Sequence, residues 1–198
     1  MSDIVIASGG TRSYKALVDA EGRLTTKTFT QTFNERATSI GDAYNLNTGD
    51  LTLTSGNASG VFWLKNNEQK KIIVTSYIYL FGNTDGAATE DGLVQVLENP
   101  TGGTLLTSTA GTLKNRNVGL QTKIIDVDWR IGAEGKTVTG GSVIIETRFA
   151  SPVGRQTVPV ETAIPQAGSI AIKYTPRSSN TTQICQFATA IYIDTFAE

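Results

Sequence analysis

With 198 residues, 39% of them hydrophobic, the chain has the length of one large β sandwich or two small domains and enough apolar material for a core, which excludes a disordered composition. Its 17 basic and 18 acidic residues nearly cancel and charged residues are only 18%, so it lacks the clustered positive charge that phosphate backbones demand, and no nucleic acid partner is expected. The absence of histidine and the single cysteine, Cys185, exclude Ser-His-Asp and Cys-His nucleophiles, the usual zinc sites and any intrachain disulfide.

Met1 to Gly10 lacks the basic start and long apolar run of a signal peptide, and no apolar stretch approaches the roughly 18 residues of a membrane helix. A soluble product made in the cytoplasm, with no membrane partner, is the expectation. Residues 1–12 read as an N-terminal arm, with 13–198 as a single sandwich domain. Ile4, Val5 and Ile6 form an apolar patch before Gly9-Gly10, suited to order on a neighbouring subunit.

Period-two alternation then recurs to the end of the chain, while helical periodicity never lasts three turns. A first hairpin is expected from Tyr14–Asp19 and Arg23–Phe33 through Ala20-Glu21-Gly22, with Thr26, Thr28, Thr30 and Thr32 on one face. Asn34 to Gly41 is the one good helical turn. Leu51 and Leu53 alternate with threonines, Ser55–Gly60 is a turn, and Val61–Lys65 reads as the partner strand of a second hairpin.

Lys71 to Phe81 is the most apolar strand, with Ile72, Val74, Ile78 and Leu80 at one parity and Ile73, Tyr77, Tyr79 and Phe81 at the other. Such a strand is either central in a sandwich or covered by another subunit, which makes Tyr77, Tyr79 and Phe81 candidate interface residues beside Ile4, Val5 and Ile6. After the loop Gly82–Gly92 come strands Leu93–Glu98 and Thr104–Thr109 around the turn Asn99-Pro100-Thr101-Gly102-Gly103. Lys123–Ile131 alternates cleanly, and Val143, Ile145 and Phe149 repeat the pattern across the Gly132–Gly141 turn region. Ala150–Gly168 holds three of the five prolines and reads as a long surface connection. Strands resume at Ile170–Tyr174 and Gln183–Thr195. Ten to twelve strands without an internal repeat predict an all-β, jelly-roll-like antiparallel sandwich with long loops.

Asp126, Asp128 and Glu146 are close in hairpin order and would be the pair-forming carboxylates of a glycosidase, but the wet face of a sheet beside Arg130 and Arg148 is the stronger reading. Asp85, Glu90, Asp91 and Asn83 have the oxygen chemistry of a Ca²⁺ loop without EF-hand spacing, and a solvated loop tip outweighs it. Trp63, Trp129, Tyr77, Tyr79 and Tyr192 would suit a sugar-stacking platform, yet core or subunit interface is the commoner fate of strand aromatics. Cys185 shares parity with Phe187, Ile191 and Ile193, as a buried inert thiol would. Neither a P-loop nor a dinucleotide fingerprint occurs, so no cofactor and no enzymatic activity are expected.

The stretches Val18-Asp19-Ala20-Glu21-Gly22-Arg23-Leu24, Gly41-Asp42-Ala43-Tyr44-Asn45-Leu46-Asn47-Thr48-Gly49, Leu51-Thr52-Leu53-Thr54 and Trp63-Leu64-Lys65-Asn66-Asn67 resemble small virion structural proteins of tailed bacteriophages, over about the first 80 residues. The resemblance implies a particle component made in the host cytoplasm: a capsid decoration (cement) subunit, a head fibre base or a tail accessory subunit, assembled as a homo-oligomer, with a trimer the expected form. Its partner would be the major capsid protein or another virion protein. The alternative is a carbohydrate- or receptor-binding module of a tail or fibre, with Trp63 or Trp129 against glycan.

Overall fold

Alternating side chains become sheets only when neighbouring strands share one wet and one dry face, and the strands of this chain do so in two antiparallel layers. The computed structural model describes residues 4–7, 13–16, 32–54, 56–70, 72–83, 90–119, 125–151, 154–177 and 182–194. The chain divides into two compact units, Met1–Thr32 and Phe33–Glu198. In the first, strand β1 (Ile4–Ala7) pairs antiparallel with β2 (Ser13–Ala16), Ile4 opposite Ala16 and Ala7 opposite Ser13. Ser13–Ala16 thus pairs with the apolar Ile4-Val5-Ile6 segment. The strand expected from Arg23 onward lies outside the described residues up to position 31.

The second unit opens on helix α1 (Phe33–Ile40), one residue earlier than the sequence suggests. Gly41, at φ 81°, ends it as a left-handed cap, and the Asp42 N–H donates to the Ala37 carbonyl at 2.8 Å. Then follow β3 (Ala43–Thr54), β4 (Ser59–Asn66), β5 (Ile72–Asn83), β6 (Glu90–Glu98), a 3-10 turn (Thr104–Thr107), β7 (Thr109–Ala110), β8 (Lys114–Asn115), β9 (Val127–Ile131), β10 (Ser142–Ser151), β11 (Gly154–Ile164), β12 (Ser169–Pro176) and β13 (Thr182–Ile193). One sheet has the order β11-β5-β13-β3-β8, the other β10-β6-β12-β4-β9-β7. The eight long strands divide four and four, and successive ones cross between the layers except from β6 to β10, as in a jelly roll.

This wrapping revises several local expectations. β3 and β4 are consecutive but lie in different sheets, so the expected hairpin about Ser55–Gly60 is a crossover. β9 and β10 share a sheet with β6, β12 and β4 between them, so they are not a hairpin either. Ala150–Gly168, expected as a loop, contains β11, antiparallel to β5 from Gly154 opposite Phe81 to Ile164 opposite Ile72. As an edge strand β11 tolerates Pro159, whose missing N–H can face away from the ladder. Thr104–Thr107 is a 3-10 turn instead of a strand, because fully buried Leu105 caps Trp63 and Ala171 on the outer side of the six-stranded sheet.

The core lies between the sheets and joins Leu46, Leu51, Leu53, Phe62, Leu64, Val96, Trp129, Ile172, Tyr174, Phe187 and Ile191, among others. β13 organises it. Gln183, Cys185, Phe187, Thr189, Ile191 and Ile193 are all buried, an unbroken parity over twelve residues. Both neighbours change parity to follow it. On β3 the buried positions pass from Tyr44, Leu46 and Thr48 to Leu51 and Leu53, with an extra residue at Thr48-Gly49 facing Phe187. Gly49 takes φ 72°, and Thr48 Oγ1 accepts the Phe187 N–H at 3.0 Å, satisfying a donor that the bulge removes from the ladder. On β5 the register passes from Val74 opposite Ile191 to Tyr77 opposite Thr189. Positions 77, 79 and 81 therefore stand opposite the buried Thr189, Phe187 and Cys185, in phase with Ile72 and Val74. The mid-strand shift thus carries positions 77, 79 and 81 to the parity of 72 and 74 and leaves positions 73, 78 and 80 at the other, in a strand that is central in its sheet.

Two buried polar contacts tie the layers together. Asn66, at the end of β4, is fully buried; its Nδ2 donates to the carbonyls of Lys70 (2.8 Å) and Ile164 (2.9 Å), the latter at the end of β11, and its Oδ1 accepts the Glu68 N–H at 2.8 Å. Tyr174 on β12 donates its hydroxyl to Gln183 Oε1 on β13 at 2.6 Å, both side chains buried. In urea titrations Asn66→Ala is expected to lose about 2–3 kcal/mol, since the change strands buried carbonyls without donors. Gly49→Ala should lose about 1 kcal/mol, because the space around that Cβ is empty and only the left-handed backbone resists it. Equal stability of either variant with the parent would contradict the role given to its residue.

Candidate functional site

Of the carboxylates in the glycosidase reading, Glu146 is not brought to Asp126 and Asp128. Asp128, on β9, lies 2.8 Å from Arg130 Nε and accepts from Arg130 Nη2 at 2.9 Å, while Asp126 Oδ1 accepts from Asn67 at 3.2 Å. Glu146 is on β10 and accepts from Gln95 at 2.6 Å. Four strand spacings separate β9 from β10, roughly 19 Å, against the roughly 5–9.5 Å between the two carboxyl groups of a glycosidase. Of the proposed Ca²⁺ loop, Asp85 lies outside the described residues. Asp91 is at the start of β6, where the Arg148 guanidinium bonds both its oxygens at 2.7 and 3.2 Å. That hydrogen bonding holds the Asp91 carboxyl below its ordinary value. The pair's contribution to stability is therefore present above the usual carboxylate range and is lost as pH falls through the lowered value.

Neither indole is a stacking platform: Trp63 is 6% exposed and Trp129 2%. Trp63 packs under Leu105 on the outer side of its sheet, and Trp129 lies in the main core against Phe62, ring centroids 5.8 Å apart. Gly111 leaves room for the Trp129 ring, since a Cβ there would fall 1.9 Å from an indole carbon. Tyr192 is likewise buried, against Ala37 and Ala43, with the Arg116 guanidinium 5.5 Å from its ring centre and hydrogen-bonded to its hydroxyl. Beside it is a surface depression of about 390 Å³, lined by Asn34, Glu35, Thr38, Ser39, Arg116 and Tyr192. It gathers hydroxyl and amide groups with one carboxylate and one guanidinium.

The outward side of the five-stranded sheet is the larger feature. The exposed positions of β3 are Asn45, Asn47, Asp50, Thr52 and Thr54, and beside them the outward positions of β13, Thr182, Ile184, Gln186, Ala188 and Ala190, are half-buried. Among these positions Asp50 alone is charged. The result is a pleated face of amides, hydroxyls and small apolar groups, which single-sequence reading did not locate because it depends on which strands become neighbours. Its one visible signal was the Asn- and Thr-rich alternation of residues 45–54. Of the interface candidates, Ile4, Val5 and Ile6 belong to β1, and Tyr77, Tyr79 and Phe81 stand opposite Thr189, Phe187 and Cys185 in the register of β5 with β13.

Cys185 is fully buried between the sheets, and burial pushes its thiol far above the ordinary value, with Asp50 and Glu134 adding to the shift. A neutral thiol reagent is expected to label it only as fast as the protein opens, with full labelling in denaturant. Rapid labelling of the native protein would refute this burial.

No protein-family model matches the chain, and no curated protein matches it. Among solved structures it is similar to a chain of the T13 viral particle of infectious bursal disease virus, at 13% identity and TM-score 0.37 over 76% of this chain and 30% of that one. A chain of the T=1 particles derived from infectious bursal virus follows at 12% identity and TM-score 0.21, covering 76% of this chain and 39% of that one. The infectious bursal disease virus VP2 subviral particle gives 10% identity and TM-score 0.20, over 76% and 41%. The chain thus spans less than half the length of these solved chains.

Proposed function

We propose that the chain is a structural subunit of a virus particle, a capsid decoration protein of a tailed phage that stabilises the shell by contacts with the major capsid protein and with its own copies. The observation that carries this reading is the outward face of β3 and β13. Charged groups are costly to bury in an interface, whereas amide and hydroxyl groups pair across it and small apolar groups allow close approach. Asn45, Asn47, Thr52, Thr54, Gln186, Ala188 and Ala190 supply that chemistry on one rigid sheet. The jelly roll itself does not choose the function, since shells, lectins and cupins all use it. The sequence resemblance supports the phage assignment and a trimeric assembly. The glycan-binding alternative loses its named carriers, because both tryptophans are interior.

The work on this reading is adhesive and needs no chemistry. Each copy would add hydrogen bonds and buried area across the shell, so that many weak contacts together raise the energy needed to open it. Mass spectrometry of purified particles should find the chain in stoichiometric amounts. Ala188→Arg places a long cation at the centre of the face, and should leave the protein folded by circular dichroism while reducing particle occupancy about tenfold. Absence of the chain from particles, or full occupancy by the folded variant, would overturn the proposal.

A further inference from the structure

Among the described residues, the four outermost strands of the sandwich are not alike. Two are the two-residue β7 and β8, too short to template another strand. The other two, β10 and β11, are long and consecutive, and end the two sheets on the opposite side. β11 is interrupted by Pro159 and by a register shift between Pro159 and Thr162. β10 contains no proline and no lysine, and its one irregularity, between Val143 and Ile145, leaves Ile145 to Ser151 in unbroken register with β6. It also carries two of the four large hydrophobic side chains exposed among the described residues, Val143 at 48% and Ile144 at 40%. Native sheets usually protect such an edge with charge, proline or a covering segment. Here the two charges alternate in sign, Glu146 and Arg148 both outward and exposed, while Ile145 and Thr147 are half-buried at the inner parity.

We propose that β10 is a self-complementary edge that pairs antiparallel with β10 of a second copy about a two-fold axis through Thr147. In that register Thr147 faces Thr147 of the second copy, and Ile145 faces Phe149. Glu146 faces Arg148, and by symmetry Arg148 faces Glu146. Opposite charges directly across an antiparallel pair are favourable and like charges are not, so the strand carries its own register code. Shifting the axis by one residue in either direction loses this arrangement, because it sets Glu146 or Arg148 on the axis against its own copy. Within each copy Glu146 also accepts from Gln95, and Arg148 binds Asp91 on β6. These contacts draw both side chains toward β6, so pairing with the second copy shares each between its two neighbours. The pairing joins two six-stranded sheets into one continuous sheet and covers Val143 and Ile144. It does not depend on the virion reading, since it concerns only two copies of this chain.

The test uses Thr147→Cys, because a residue on the axis meets itself at the roughly 4.5–5.5 Å Cα separation of an antiparallel pair, within disulfide range. Copper-catalysed air oxidation should give a covalent dimer on a denaturing gel, whereas Ser142→Cys, at the strand end, should give almost none; Cys185 is buried in both. Adding E146R, or separately R148E, to the T147C protein sets like charges opposite each other twice and should lower the cross-linked fraction about tenfold. Mixing the two charge variants restores opposite pairs at both crossings and should restore the cross-link. Failure of T147C to cross-link, equal cross-linking at Ser142, or no recovery in the mixture would each overturn the proposal. Cross-linking of purified protein that is absent from particles would leave this pairing standing and remove only the virion assignment.

Discussion

The structure depends on β13 keeping one parity for its whole length. A twelve-residue strand in the middle of a sheet sets the inside and outside of both neighbours, and any neighbour whose apolar residues fall out of step must insert a residue or expose them. β3 does so at Thr48-Gly49 and β5 between Val74 and Tyr77. Each insertion breaks the ladder locally, and at Thr48 the side-chain hydroxyl replaces the lost backbone acceptor. Without these shifts, β3 could bury either Tyr44 and Leu46 or Leu51 and Leu53, and the sandwich would lose half of that strand's contribution to the core.

Sheet-to-sheet packing is non-directional, and the buried polar groups add direction to it. Asn66 fixes the end of β4 against the end of β11, and Tyr174 with Gln183 fixes β12 against β13, so each sheet is located on the other by hydrogen bonds that a slipped arrangement would leave unmade. Close backbone contact does similar work at Gly132, where a Cβ would lie 1.9 Å from the Gly60 carbonyl oxygen. Only glycine admits the chain there, and the Gly132 N–H donates to the Val61 carbonyl at 3.0 Å. The outer mini-core of Trp63, Leu105 and Ala171 extends burial to the second side of the six-stranded sheet, which explains why β4 is buried at both parities.

The all-β class and most strands were legible, because alternation such as Ile125, Val127, Trp129 and Ile131 is written in neighbouring residues. The short helix was legible from Asn34 and Gly41 for the same reason. Partnership was not. Val61–Lys65 follows Leu51–Leu53 so closely that a hairpin is the natural local reading, yet the jelly roll sends the two strands to different sheets. Prolines hid β11, since the rule that removes proline from strands holds for central ones and relaxes at edges. The two parity shifts are carried by Thr48-Gly49 and by Thr75-Ser76, residues that read equally well as wet strand positions, so neither shift was visible in the alternation. The outward face of β3 and β13 was invisible as a unit, being assembled from two segments that the whole middle of the chain separates.

The position of β13 also governs when the molecule can form. It is the last of the described strands, yet it lies between β5 and β3 in the middle of its sheet. During synthesis the edges of β3 and β5 that receive β13 must wait unpaired until residues up to 193 have left the ribosome, even where β11 and β8 have already joined their other edges. Assembly of that layer is consequently a late, long-range step, and the nascent chain spends its vulnerable interval with apolar strands uncovered.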